Sequence, residues 1–318
     1  MFQNVEQRVL NSIPVRFVKR RSKKIFLPGF EGLALYDVAV FFWKQMEKVG
    51  LSDRASSIAF NFLMAIPAAL IFLFNLIPYM PISKQLMPQL LDMTHRLIRD
   101  KSTSLAIENF LNDFLNTPRS GLLSLGFFLA AFYASNAMMG VMQTFNKSLI
   151  RRSRQNFLQS RWMALKLTVL VIFFILISLI LSVVQGELLE KLMIWLDITD
   201  SFLISLINSL RYLVIFALIF FAIAFIYKYA PAIPKRWKLI SPGTILATFL
   251  TIVTTYLFSY YVSNFGSYNK VYGSIGTILI IMLLAYINSL ILIIGYELNV
   301  SISSVKSLRE AEALAKSS

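Results

Sequence analysis

Cysteine is absent from this 318-residue chain, and histidine occurs once, at His95. The first absence excludes disulfides and thiolate metal sites. The two together exclude a Cys–His dyad and leave no second imidazole to complete a metal centre. Neither a phosphate-cradling GxxxxGK[ST] loop nor a GxSxG nucleophile elbow occurs. The paired carboxylates Glu187/Glu190 and Asp197/Asp200 share one short stretch between apolar runs and read as solvated surface charge. His95 lies between Thr94 and Arg96 in an amphipathic segment and reads as an ordinary surface residue. No catalytic residue, metal or cofactor is expected, and the chain is read as a non-enzyme.

Charge is scarce too. Asp, Glu, Lys and Arg make up 15% of the chain against 57% hydrophobic residues, too little polar surface to clothe a water-soluble globule of this length. What fills the chain instead is six long uncharged runs: Ala55–Ser83, Ser120–Asn146, Leu167–Gly186, Tyr212–Tyr227, Leu239–Asn269 and Val271–Tyr296. A helix spans the ~30 Å hydrocarbon core with about 20 apolar residues, because it pairs its own backbone groups where water cannot. Tyr212–Tyr227 is short for this. Arg211 and Lys228 can lay their aliphatic stems along the helix and put their charges among headgroups, and Ser201–Leu210 extends it. The expected fold is an all-α, polytopic membrane protein: a six-transmembrane-helix bundle with spans at about 57–79, 121–145, 164–186, 209–229, 242–265 and 273–297. Residues 1–54 form a basic tail and amphipathic helix, 55–298 the membrane domain and 299–318 a C-terminal tail. The polar start lacks a charged-then-apolar leader with a small-residue cleavage site, so no removable signal peptide is expected.

The net charge of +15 is distributed unequally. Residues 1–57, 146–166, 228–238 and 299–318 hold most of the Lys and Arg, whereas basic and acidic residues balance in 81–119, 187–211 and 266–272. The positive-inside rule makes the first set cytoplasmic, with both termini inside. The expected partner is the bilayer itself, with anionic lipids at the cytoplasmic face worth about 1 kcal/mol per nearby Lys or Arg. The densest cluster, Arg16–Lys24, is also compatible with RNA or an acidic protein, but lipid headgroups explain it more simply, and no specific nucleic-acid partner is expected.

Two segments outside the spans read as interfacial helices. From Leu33 to Val49, Asp37, Lys44 and Lys48 share one face, while Phe41, Phe42 and Trp43 supply bulky apolar surface. Between the first two spans, Leu86, Leu90, Met93 and Leu97, then Ile107, Phe110, Leu111 and Phe114, recur at helical spacing and predict an outer helical hairpin. Its charges are mixed and do not converge, which favours a cap over a lid.

Polar residues at membrane depth are the candidate site. Glu297 ends span six and Arg54 begins span one on the same side, so an ion pair is allowed; structural locking is the preferred reading, and a proton relay the alternative. Asn61, Asn136 and Asn288 place amides within spans, where each needs a partner, and Pro67 removes a helix hydrogen bond in span one. A bent helix carrying amides can line a substrate path. Between spans five and six, Asn264, Ser267, Tyr268 and Asn269 crowd a short turn near Gly273 and Gly276, more polar groups than capping alone needs.

Three motifs carry a resemblance: DRASSIAFNFLMAIPAALIFL (53–73), YVSNFGSYNKVYGSIG (261–276) and ILIIGYELN (291–299). Their order and spacing resemble the YihY/virulence factor BrkB family of bacterial inner-membrane proteins, formerly labelled ribonuclease BN. Asn61 stands where the family's first motif carries an aromatic residue. The resemblance implies a six-helix bundle of the bacterial cytoplasmic membrane. The old ribonuclease label finds no support in a chain with one histidine, no clustered metal ligands and no basic–aromatic platform.

The function expected is secondary or passive transport, export or flipping of an unidentified small solute or lipid-linked compound. The alternative is a non-catalytic envelope scaffold or assembly factor that binds an envelope partner.

Overall fold

A computed structural model gives the fold and describes residues 21–76, Leu105, Asn109, 120–149, 153–183, 201–234, 236–264 and 274–317. The chain divides into two compact units, Met1–Ile58 with Met139–Ser318, and Ala59–Met138. Among the described residues the helices are α1 (Leu35–Lys48), α2 (Leu51–Leu76), α3 (Ser120–Lys147), α4 (Phe157–Val183), α5 (Ser201–Tyr229), α6 (Pro242–Asn264) and α7 (Ser274–Ser317). Six of these, α2 to α7, are long and apolar enough to cross a membrane. In each of the six, fully buried residues are the minority, and large apolar side chains such as Phe128, Val169, Leu213 and Phe249 stay exposed, which suits lipid and not water. The protein is a polytopic helical membrane protein.

Local chemistry sets the helix ends. Gly50 adopts φ +63, a conformation that costs glycine little, and lets α1 stop just before α2 begins. α6 starts on Ser-Pro-Gly-Thr: Pro242 takes the first helical position, where its missing N–H costs nothing, and the Ser241 hydroxyl accepts from the Thr244 N–H at 3.3 Å. Before α4, the Asn156 N–H donates to the Gln159 side chain at 3.2 Å, which caps the start of the helix. Pro67 lies inside α2.

In the first unit α7 packs along α6, α6 against α5, α5 against α4, and α1 against α7. α7 runs 44 residues, so residues 299–318, set apart in the sequence as a tail, continue the span-six helix up to Ser317. After Gly295 this stretch holds no Gly or Pro and is rich in Ala, Leu, Lys and Glu, which favour helix. The extension gives α1 a protein surface to pack on: Phe30, Leu33 and Val38 bury against Ile302 and Val305, with Phe41 and Leu298 beside them. The amphipathic segment is therefore docked through part of its apolar side, while Trp43 stays 67% exposed. Lys306–Glu31 and Arg309–Asp37 ion pairs rim the contact.

In the second unit α2 and α3 approach closely. A Cβ on Gly126 would meet the Phe72 backbone at 3.2 Å, and the Phe72 and Phe127 rings sit 5.6 Å apart. The predicted outer hairpin and the turn between α6 and α7 lie outside the described residues, apart from helical Leu105 and Asn109.

Candidate functional site

The last turn of a helix leaves carbonyls without intrahelical partners. At the end of α3 two of them are met by side chains from elsewhere in the chain: Arg54 Nη1 donates to Thr144 O at 3.4 Å, and the Tyr296 hydroxyl donates to Phe145 O at 3.0 Å. A cation at this helix terminus also suits the macrodipole. Beside them Glu297 of α7 is completely buried. Its Oε1 lies 3.5 Å from Arg54 Nη1 and accepts a close hydrogen bond from the Ser148 hydroxyl, which in turn accepts from Arg54 at 2.6 Å. Gln45 of α1 donates to Oε2 at 3.4 Å. A hydroxyl thus bridges guanidinium and carboxylate, and four segments contribute to one charged cluster.

Aromatic rings seal the cluster on the α7 side. Tyr296 stacks on Phe145 with centroids 3.8 Å apart and planes within 2° of parallel, while Tyr227 meets both rings edge-on. Tyr227 donates to Leu292 O at 2.7 Å; Trp237 lies 5.4 Å from Tyr296 and donates to Ser303 at 2.9 Å. Every polar end of these rings has a partner, as burial requires.

A second network fastens the start of α6 to α7. Asn299 accepts from the Gly243 N–H at 2.9 Å, one of the orphan donors of the first turn, and donates to Ser241 at 2.9 Å. Ser241 and Thr244 hydroxyls bond at 2.8 Å. Gly243 and Gly295 make the crossing close: a Cβ on Gly295 would sit 2.6 Å from Gly243 O and 2.5 Å from the Tyr227 hydroxyl. Asn146 holds the segment after α5 by accepting from Ala232 N–H at 2.8 Å.

The structure brings Arg54 and Glu297 together. Asn61 on α2 and Asn136 on α3 are half-buried in the Ala59–Met138 unit. Asn288 belongs to the other unit, where its amide donates to Leu284 O at 2.9 Å, within its own helix. Asn264 is the last residue of α6; Ser267, Tyr268 and Asn269 lie outside the described residues. Sequence reasoning missed Gln45, Ser148, Tyr296, Asn299 and the Gly243–Gly295 crossing. The signal was within ILIIGYELN, whose Gly295, Tyr296, Glu297 and Asn299 all enter this region.

The family model for Virulence factor BrkB matches residues 42–317. A protein of Bacillus subtilis (strain 168) named ribonuclease-like protein YfkH is 29% identical over 256 residues, covering 80% of this chain and 91% of its own. A UPF0761 membrane protein of Tolumonas auensis is 26% identical over 262 residues, covering 81% and 83% of the two chains. Another, of Psychromonas ingrahamii, is 22% identical over 283 residues, covering 88% and 92%. No solved structure matches the chain significantly.

Proposed function

This chain belongs to the Virulence factor BrkB family, and from that premise we propose that it is a secondary or passive transporter, exporter or flippase of a small solute or lipid-linked compound in the bacterial inner membrane. The observation that carries the reading is the buried Glu297 with Arg54, Ser148 and Gln45 around it. A charge inside a membrane bundle is expensive, and chains that keep one use it in ion or substrate paths or as a lock between helices. Here four segments converge on it, so a change in its charge or partners bears on all of them at once. In this reading the cluster acts as an inner latch, and Asn61, Asn136, Asn264, Ser267, Tyr268, Asn269 and Asn288 are the candidate residues for contact with the solute. Both termini are cytoplasmic in this reading, and the role is non-catalytic; the ribonuclease-like wording attached to YfkH stays with that protein.

The test compares solutes and lipids retained by cells lacking the protein, cells expressing it, and cells expressing Glu297→Gln at equal abundance. A compound that accumulates without the protein, falls with the wild type and stays high with the variant supports transport. Identical profiles in all three cell types sink it. The scaffold reading draws on a different observation, the α6–α7 crossing at Gly243 and Gly295, which leaves no room for those helices to slide. It expects unchanged solute profiles together with loss of an envelope complex.

A further inference from the structure

Residues 114–186 and 201–296 contain neither Asp nor Glu. Helix α4 and the connection that follows α5 nevertheless bring cations together. Where α4 packs on α5, Lys166 and Arg236 line a groove of about 400 Å³ whose other walls are apolar. Leu167 and Leu170 form the α4 side at i, i+3 spacing. Phe225 and Tyr229 form the α5 side, stacked with centroids 5.8 Å apart and planes within 11° of parallel. The Arg236 guanidinium lies 4.8 Å over the Tyr229 ring and Lys166 Nζ lies 5.5 Å from the Trp162 ring, so aromatic faces position both cations without cancelling their charge. Lys228 adds a third positive group 5.5 Å from Tyr229. Both walls belong to helices apolar enough to cross a membrane.

We infer that this groove binds one anionic phospholipid, with the headgroup phosphate on Lys166 and Arg236 and an acyl chain along Leu167, Leu170 and Phe225. The matching anion has to come from outside these segments, since they hold no carboxylate of their own. A zwitterionic lipid brings its own cation into a site already positive. A free phosphate leaves the apolar walls uncovered. The bound lipid is a fixed component of the α4–α5 surface and is independent of whether a solute crosses elsewhere.

The test is native mass spectrometry of the full-length protein in detergent, titrated with dioleoyl-phosphatidylglycerol or dioleoyl-phosphatidylcholine. The wild type should bind the first phosphatidylglycerol at least about fivefold more tightly than phosphatidylcholine, and each cation removed should cost about fivefold. Lys166→Gln with Arg236→Gln should therefore abolish the preference, while Lys316→Gln, at the exposed end of α7, should keep it. Lys166→Gln alone serves if the double variant does not fold. A wild type without preference, or a preference that survives loss of both cations, overturns the assignment. Competition by inorganic phosphate as strong as by phosphatidylglycerol overturns it in favour of a free-anion site.

Discussion

Gly243 and Gly295 face each other across the α6–α7 crossing so closely that neither position has room for a methyl group. Around them Asn299 clamps the first turn of α6, and Tyr227 reaches α7 through Leu292 O. The tightest helix contact of this region therefore sits beside the buried Glu297.

Alanine at either glycine should test this by the sign of its effect. At a helix position with open space, Gly→Ala stabilises by up to about 1 kcal/mol through propensity. Gly121, where a Cβ would meet nothing within 4 Å among the described residues, is such a position. At Gly295 the new carbon meets backbone and the Tyr227 hydroxyl, and overpacking costs about 1–3 kcal/mol. Detergent melting should fall for Gly295→Ala and Gly243→Ala and hold or rise for Gly121→Ala. A rise at Gly295 would mean that the two helices cross with more space than the structure gives them.

Arg54 and Glu297 should couple. Glu297→Gln keeps the shape of the side chain but leaves Arg54 without this counter-charge, and Arg54→Gln leaves a fully buried carboxylate whose remaining partners among the described residues are Ser148 and Gln45. Removing one member of a buried pair is costly because the other stays behind. The double variant should therefore be more stable than the sum of the singles implies, with a coupling of about 1–3 kcal/mol. Additive melting shifts would show that Ser148 and Gln45 hold the carboxylate on their own and that the guanidinium is incidental.

The six spans were legible because lipid imposes a single, long-wavelength requirement, about 20 apolar residues without charge, that composition alone reveals. The Arg54–Glu297 proximity was legible for a related reason: both are ionisable groups at span ends that charge partition puts on one side. Ser148 and Gln45 were not, since a serine beyond a helix end and a glutamine on an interfacial helix have no marked pattern until the chain is folded. The continuation of α7 to Ser317 was hidden by attention to hydropathy, which ends at Tyr296, whereas helix propensity does not. Asn288 shows the opposite error: an amide that stood out in an apolar run bonds to its own helix.

Topology can be checked with the chain's own lack of cysteine, because any introduced thiol is the sole one. Lys316→Cys should be protected from a membrane-impermeant maleimide in intact cells stripped of their outer membrane and react only after lysis. Asn109→Cys should react in the intact cells. The reverse pattern would invert the assigned orientation, and equal labelling at both positions would break the six-span count.

The contact between α1 and the α7 extension allows a test of which forces hold it. Its ion pairs, Lys306–Glu31 and Arg309–Asp37, join side chains that are a third to a half exposed, so screening leaves each about 0–1 kcal/mol. Its centre is Val38, 1% exposed against Phe30, Leu33, Ile302 and Val305. Asparagine there buries an amide in an apolar cluster, at a cost of about 1–3 kcal/mol beyond the packing it loses. Lys306→Gln and Arg309→Gln should leave the rate of limited proteolysis within 21–50 nearly unchanged, even combined, whereas Val38→Asn should raise it several-fold. High salt should reproduce the ion-pair variants and not Val38→Asn. If salt or loss of the two cations frees α1 as effectively as Val38→Asn, electrostatics hold the helix, and Gln45 is then delivered to Glu297 by the rim of this contact instead of its core.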